Sequence, residues 1–294
     1  MFKRKLIPTI IAAVCFLAAI CIMLYPAVSS YVNDKYRSEI HIAYEEAIEQ
    51  ADNTELLQVM ELAVAYNQSI IPGTAMGNAY SHEALLSASE NYGAQLNLTC
   101  DGLMGYVEVP KINVNLPIYH GTDSETLDRG VGHLLGSSLP VGGESTHTIL
   151  TGHSGMASQR LFTDLEQLEK GDVFYLHVLG EILAYQVDSI NVVLPHDTSL
   201  LGICPGEDYC TLVTCTPVAV NTHRLLVRGA RIPYEAAQEV QKETEEIEES
   251  QTSNWQEQYM LGIRLGVLTV LIIVLVVILA NLFHSRRNGG CYEK

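Results

Sequence analysis

The sequence predicts a mostly β fold, namely a closed β-barrel with short helices, preceded by an N-terminal helical segment and flanked by two transmembrane helices. Short strand-like runs separated by Gly, Pro or Asn turns fill the region from about 102 to 233, a pattern typical of a barrel and not of βαβ units. Before this region, apolar residues recur every three or four positions, which indicates helix. Uncharged apolar runs lie near both ends of the chain.

The two apolar runs predict membrane spans. Leu6–Tyr25 follows Lys3-Arg4-Lys5, and Leu265–Phe283 precedes Arg286-Arg287; neither run contains a charge. A helix rises about 1.5 Å per residue, so roughly 20 residues cross a hydrocarbon core of about 30 Å. Basic residues at the outer end of each run predict cytoplasmic termini and an external middle. A cleaved signal peptide ending near Ala27-Val28-Ser29 is the alternative for the first run.

The barrel is predicted from its strand-like runs and turns. Residues Thr122–Leu139 suggest a polar helix-and-loop region, and Leu161–Leu168 a short amphipathic helix that stops at Gly171. The predicted strands are Gly105–Val109, Leu116–Tyr119, Thr146–Thr151, Val173–Val178, Ile182–Val187, Thr211–Thr214 and Leu225–Val227.

The helical segment before the barrel runs from Ser30 to about Gln68 and breaks at Asp52-Asn53-Thr54, where Thr54 is a plausible cap. The following stretch, Pro72–Leu98, is rich in Gly, Ala, Ser and Asn. It predicts an irregular segment with one short helix near His82–Ser89.

Composition excludes several classes of function. A net charge of −17 argues against nucleic-acid binding, which requires a basic surface. The seven cysteines form no CxxC pair and show no metal-ligand spacing, which argues against a zinc site. Among the cysteines of the external region, Cys204 and Cys210 could form a disulfide, with Cys100 left over.

A candidate nucleophile lies at the end of a predicted strand. Cys215 follows the run Thr211–Thr214, and Arg224 precedes the run Leu225–Val227, so pairing of the runs brings thiol and guanidinium to the same end of a sheet. Strand alternation turns Cys215 away from the face that holds Cys210. A neighbouring cation favours the thiolate form of a cysteine. The alternative is that Cys215 is a buried small hydrophobe and Arg224 a solvated strand residue.

These residues also carry a family resemblance. The run TLVTC at 211–215 resembles the TLxTC signature of sortases, the membrane-anchored cysteine transpeptidases of Gram-positive bacteria. The continuation TP and then NTHRLLVRG resembles the pilin-polymerising class C branch, and MGYVEVPKINVNLPIYHGT resembles the first strands of the sortase barrel. The resemblance spans about Leu103 to Pro233. It implies that Cys215 is the nucleophile and Arg224 the catalytic arginine, while Arg228 and Arg231 lie further from the site.

His153 is the candidate base among ten histidines. It follows a predicted strand end between glycines, where its ring can turn toward a neighbouring strand, and TGHSG also matches the histidine site of sortases. His133 lies in a Gly-rich loop, and His223 adjoins Arg224 but points to the opposite face. The remaining strand histidines, His147 and His177, are predicted to be core or surface positions.

The resemblance implies an extracytoplasmic transpeptidase that cleaves a sorting-signal peptide similar to Leu-Pro-x-Thr-Gly through a Cys215 thioester. Transfer to an amine follows, with a pilin lysine as the expected acceptor and a cell-wall precursor amine, as used by a housekeeping sortase, as the alternative. His153 exchanges protons with the amines, and Arg224 stabilises the oxyanion or holds the peptide. No metal or organic cofactor is implied. The rival classes are an L,D-transpeptidase, whose cysteine usually follows Ser-His-Gly, and a doubly anchored scaffold protein without catalysis.

One segment departs from the class C pattern. Class C sortases commonly cover the active site with a lid anchored by an Asp-Pro-aromatic motif, and Pro72–Leu98 contains no such motif. We therefore expect Cys215 to be loosely covered at most, through small contacts around Ala75, Met76 or Tyr80.

The resulting organisation has seven regions. We expect a cytoplasmic stub over 1–5, a transmembrane helix over 6–25, a helical and possible lid region over 30–101, the catalytic barrel over 102–233, an acidic helical spacer over 234–260, a second transmembrane helix over 261–283 and a cytoplasmic tail over 284–294.

Overall fold

A computed structural model describes residues 3–70, 91–156 and 159–244. The chain divides into two compact units, residues 1–241 and 242–294, and the fold described below belongs to the first. The second predicted membrane segment, the predicted cytoplasmic tail, and residues 72–90 of the stretch Pro72–Leu98, here called the covering segment, lie outside the described residues.

Eight strands of the described residues close into a barrel, which confirms the predicted closed β-barrel. Their spatial order is β1-β2-β3-β4-β7-β8-β6-β5, and pairing of β5 with β1 closes the ring. The pairs β2–β3 and β4–β7 are parallel, and the others are antiparallel. The strands are β1 Leu103–Val109, β2 Val114–His120, β3 Val131–His133, β4 Thr146–Thr151, β5 Val173–Val178, β6 Glu181–Val193, β7 Asp208–Thr216 and β8 His223–Ile232.

Alternation along β7 and β8 separates the barrel interior from its outer face. Leu212 and Val227, which are partners across the two strands, are buried in the main hydrophobic core. The next pair along the strands, Val213 and Leu226, instead packs with Ile149 in a separate cluster on the other face. Side chains at odd positions of β7 and even positions of β8 therefore point out of the barrel.

The hairpin between β5 and β6 follows from its turn residues. Leu179 and Gly180 both have positive φ, 51° and 82°, as the two central residues of a type I′ turn require. Strand β6 continues six residues beyond the predicted end at Val187, and its register shifts between Val187 and Ser189. The bulge lets the long strand curve around the barrel.

Two long helices precede the barrel. Helix α1 spans Lys3–Gln50 and α2 spans Asn53–Ser69. The predicted break is present, but the N-cap is Asp52 and not Thr54, because α2 already begins at Asn53. Tyr44 fixes α1 to the barrel: its hydroxyl donates to Met104 O and accepts from Leu179 N, both at 3.0 Å. Within the described residues, no helix combines the length and apolar character needed to cross a membrane.

The barrel connections differ from the sequence prediction in two places. The region Thr122–Leu139 contains the short strand β3 as well as a helix, α3 (Ser124–Arg129). The segment Leu161–Leu168 is a series of turns with a 3₁₀-helix at Leu165–Gln167 and is not an α-helix. Leu161 has φ of 42°, in the left-handed region, so an α-helix cannot begin there.

The end of the covering segment is firmly packed, although the stretch is rich in Gly, Ala, Ser and Asn. Tyr92 and Leu96 are buried in the main core, with 6% and 0% exposure. The Tyr92 hydroxyl lies 2.8 Å from Nδ1 of His133 and accepts from Gly121 N at 3.0 Å. The expected short helix at 82–89 and the contacts at Ala75, Met76 and Tyr80 lie outside the described residues.

Candidate active site

Cys215 and Arg224 are direct partners across the antiparallel β7–β8 pair, at the end of the ladder next to the 217–222 loop. They share the outward face with Val213 and Leu226, and both are partly buried. Cys210 lies on the opposite face with no exposed surface, and burial raises the pKa of its thiol well above the usual value. Of these two thiols on β7, only Cys215 is therefore accessible and beside a cation.

The loop between β7 and β8 positions the Arg224 guanidinium. Pro217 O accepts hydrogen bonds from Val220 N and Asn221 N at 3.0 and 2.9 Å, which closes the loop. Arg224 Nη1 then donates to Asn221 O at 3.3 Å and to His223 O at 3.0 Å. These bonds hold the head group at the loop, on the same side of the sheet as the thiol.

His153 lies beyond the end of β4, which runs parallel to β7. Thr151 is the partner of Val213, and the ladder continues one step further because Gly152 N donates to Val213 O at 3.0 Å. Counting on in the same register places residue 153 beside residue 215 on the outward face. The His153 carbonyl accepts from Phe162 N at 3.0 Å, and its side chain is partly exposed. The structure thus brings all three predicted site residues to one end of neighbouring strands.

The competing histidines are engaged in structural contacts. Burial lowers the pKa of His133 to about 4, and its Nε2 lies 2.8 Å from Ser138 O. Burial likewise lowers the pKa of His147 to about 4, and its ring bridges Gly202 O and the Thr211 hydroxyl at 2.9 and 2.7 Å. Both rings are neutral at neutral pH and have partners on both nitrogens.

Two further histidines also have partners. His177 Nε2 lies 2.9 Å from Glu108 Oε2, and its ring stacks on Tyr106 with centroids 4.2 Å apart. His223 Nδ1 lies 3.0 Å from the Thr222 hydroxyl at the start of β8.

The other β8 arginines lie further from the thiol. Arg228 makes two hydrogen bonds to the Asp188 carboxylate, at 3.0 and 2.7 Å, and stacks over the Tyr209 ring at 4.1 Å. The Asp188 carboxylate raises the pKa of Arg228. Arg231 lies over the Tyr185 ring at 5.6 Å, on the inward side of β8. Arg228 is thus tied to a structural partner, whereas Arg224 is held at the end of β8 beside Cys215.

Three hydroxyl contacts at this end of the barrel were not anticipated from the sequence. Ser154 Oγ donates to Cys215 O at 2.6 Å, and Thr214 Oγ1 donates to Gly152 O at 2.7 Å. Thr216 Oγ1 donates to Glu166 Oε1 at 2.6 Å. A hydroxyl residue directly after a candidate histidine at a strand end is the signal that points to the first contact.

Cys100, Cys204, Cys210 and Cys215 are free thiols, so the pairing considered for Cys204 and Cys210 is not formed. Within the described ranges, no group of three His, Cys, Asp or Glu side chains is placed to hold a metal ion.

Comparison with known proteins places the chain in a family. A family model described as a sortase domain matches residues 107–232. The chain is 44% identical to sortase C1 from Streptococcus agalactiae, with a TM-score of 0.61 over 66% of this chain and 98% of that structure. The chain belongs to the sortase family. Sortase C from Streptococcus pneumoniae is similar at 44% identity, with a TM-score of 0.58 over 67% of this chain and 97% of that one.

Curated sortases match a smaller part of the chain. Sortase D from Bacillus subtilis is 33% identical over 44% of this chain and 63% of its own length. Sortase A from Streptococcus agalactiae is 30% identical over 43% of this chain and 52% of its own length. This sortase therefore matches less than two thirds of the length of these curated relatives.

Proposed function

We propose that this sortase is an extracytoplasmic cysteine transpeptidase that cleaves a sorting signal similar to Leu-Pro-x-Thr-Gly and transfers the acyl part to an amine. The observation that carries the proposal is the direct pairing of Cys215 with Arg224, with the end of β4 bringing His153 to the same place. A thiol, a guanidinium and an imidazole on one face are the groups that acyl transfer through a thioester requires.

The first half-reaction forms the thioester. The Cys215 thiolate attacks the carbonyl carbon of the signal threonine, and Arg224 donates hydrogen bonds to the oxyanion that develops. The C–N bond to glycine then breaks, and the His153 imidazolium gives its proton to the departing amine. The products are an acyl thioester on Cys215 and a neutral His153.

The second half-reaction resolves the thioester. An incoming amine attacks the same carbonyl carbon, and the neutral His153 accepts the proton that the amine loses. Collapse of the tetrahedral intermediate expels the Cys215 thiolate and leaves a new amide bond. The catalytic groups return to their starting protonation states, so the cycle needs no oxidant, reductant or cofactor.

The proposed acceptor is a lysine amine of a pilin subunit. Its support is the similarity to class C sortases: the Streptococcus pneumoniae structure is described in terms of pilin substrate specificity, and another similar structure is a pilus-related sortase C of Group B Streptococcus. A cell-wall precursor amine is the second candidate, because sortase A proteins are also among the relatives.

The proposed location is the outer side of a cell membrane, with anchors at both ends of the chain and both termini in the cytoplasm. Its support is the pair of uncharged runs at 6–25 and 265–283 with basic residues at their outer ends. Protease added to intact cells should degrade the barrel and spare tags on both termini. Loss of either tag would contradict the two-anchor arrangement.

The test of the reaction uses purified full-length protein and a sorting-signal peptide, with either a lysine-containing peptide or an oligoglycine amine as acceptor. Mass spectrometry should show cleavage after threonine and a branched product with lysine. A product with oligoglycine alone would favour the cell-wall alternative. Absence of cleavage with each acceptor would contradict the proposed reaction and favour a scaffold.

A further inference from the structure

The β4–β7 ladder ends in an unusual hydrogen bond. In a parallel pair, amides of alternate residues on one strand donate to alternate carbonyls of the other. Gly152 N donates to Val213 O at 3.0 Å, so the next bond in the series would join the Ser154 amide to Cys215 O. In this chain Ser154 Oγ, and not the Ser154 amide, donates to Cys215 O, at 2.6 Å. A side chain therefore extends the ladder by one step after the backbone has begun to leave it.

The backbone leaves at this point because the next residue turns sharply. Gly155 has φ of 73°, in the left-handed region, and a Cβ there would lie 2.7 Å from a methyl group of Val218. Gly155 N donates to the Thr163 hydroxyl at 2.9 Å, and the His153 carbonyl accepts from Phe162 N at 3.0 Å. These bonds tie the turn to the segment that follows it, whereas the Ser154 hydroxyl ties it to the strand that carries the thiol.

We propose that Ser154 is a positioning residue that sets the separation of the His153 imidazole and the Cys215 thiol; this inference rests on the proposed function. Ser154 directly follows the proposed base, His153. The carbonyl to which its hydroxyl donates belongs to the proposed nucleophile, Cys215. One short bond thus couples the two backbones at the point where the regular ladder stops. Without it, the turn retains its bonds to 162–163 and can shift as a unit away from β7. A displacement of about 1 Å between reacting groups can cost roughly a hundredfold in rate.

The chemistry of the contact suggests a matched pair of variants. Ser154→Thr keeps a hydroxyl that can donate to Cys215 O, and Ser154→Val has nearly the same shape without a donor. Both carry the same β-branched change, so any difference between them reports the hydrogen bond alone. Ser69→Ala is the remote control, because Ser69 Oγ makes a similar 2.6 Å bond to Tyr66 O at the end of α2.

The first measurement is the steady-state cleavage of a sorting-signal peptide by full-length protein across pH. We expect kcat of Ser154→Val to fall at least tenfold with KM within twofold of wild type, and the pH dependence of kcat to change. Ser154→Thr should keep kcat within threefold of wild type, and Ser69→Ala should match wild type. Equal kcat values for the Thr and Val variants would overturn the inference.

The second measurement does not depend on turnover. A displaced imidazolium stabilises the thiolate less, so iodoacetamide should alkylate Cys215 at least threefold more slowly at pH 7 in Ser154→Val than in Ser154→Thr. Equal alkylation rates would refute the role of Ser154. A wild-type protein that alkylates normally but does not cleave the peptide would refute the proposed reaction instead, so the two failures are distinguishable.

Discussion

Lowering the pH from 7.5 to 5 should destabilise the barrel through two buried histidines, His133 and His147. Burial lowers the pKa of each from the ordinary value of 6.5 to about 4. At pH 5 the unfolded chain therefore binds nearly two protons that the folded chain excludes. The neutral rings contribute fully to stability above about pH 6.5, and this contribution is lost as the pH falls toward 4. At pH 5 the loss is about 2 kcal/mol for each ring.

A variant isolates one of these rings from all other titrating groups. The Tyr92 hydroxyl lies 2.8 Å from Nδ1 of His133, and Ser138 O and the Ser137 hydroxyl lie 2.8 and 3.1 Å from its Nε2. Glutamine supplies one acceptor and one donor but does not titrate. Between pH 7.5 and 5, the free energy of unfolding of His133→Gln should therefore fall by about 2 kcal/mol less than that of wild type. His196→Gln is the matched control, because His196 is exposed in the loop after β6.

The assay is urea unfolding of each variant at the two pH values, monitored by circular dichroism. Carboxylates contribute equally to the pH-dependent loss of stability in every variant. Their contribution therefore cancels when the losses of two variants are compared. We expect His196→Gln to lose as much stability as wild type. If His133→Gln also loses as much as wild type, burial of a neutral ring at position 133 is not the source of acid sensitivity.

The remaining predictions concern the proposed catalytic groups and their neighbours. Cys215→Ala should abolish peptide cleavage and leave the melting temperature unchanged, whereas Cys210→Ala should cost about 1 kcal/mol of stability and retain activity, because it truncates a core side chain; equal loss of activity in both would contradict the assignment. Arg224→Lys should reduce kcat severely, because a point charge cannot reproduce the planar donor fork, whereas Arg228→Lys should weaken the Asp188 contact, cost about 1 kcal/mol and retain kcat. Steady-state kinetics with thermal melts check both pairs, and the reverse order of sensitivity would move the catalytic role to Arg228.

The sequence was most informative where structure is local. Strands β7 and β8 are consecutive and joined by six residues, so alternation and a turn signal were sufficient to predict that Cys215 and Arg224 share one end of a sheet. The same holds for the β5–β6 hairpin, whose turn residues Leu179 and Gly180 lie between two clear strands.

Long-range pairing could not be obtained in the same way. His153 lies beside Cys215 because β4 pairs in parallel with a strand about sixty residues later, and no local pattern encodes that register. The motif around His153 supplied the hypothesis, and the ladder supplied the geometry. The Ser154 contact depends on the same register, so the hydroxyl residue after His153 could indicate a contact but not its partner, Cys215 O.

Short or irregular elements were missed for physical reasons. Strand β3 has only three residues, too few for an alternation pattern. The apolar spacing of 161–168 is helical, but the side chains Leu161, Phe162, Leu165 and Leu168 reach the core from a series of turns. Near residue 92, a Gly- and Ala-rich composition concealed two core side chains, Tyr92 and Leu96, that fix the segment to the barrel.

The covalent intermediate tests the central proposal most directly. Full-length protein mixed with a sorting-signal peptide should be quenched in acid, digested and analysed by mass spectrometry. The account predicts that the peptide containing Cys215 gains the mass of the signal fragment ending in threonine, and that hydroxylamine removes the adduct. An adduct on Cys204 or Cys100, or no hydroxylamine-sensitive adduct while the peptide is cleaved, would contradict it.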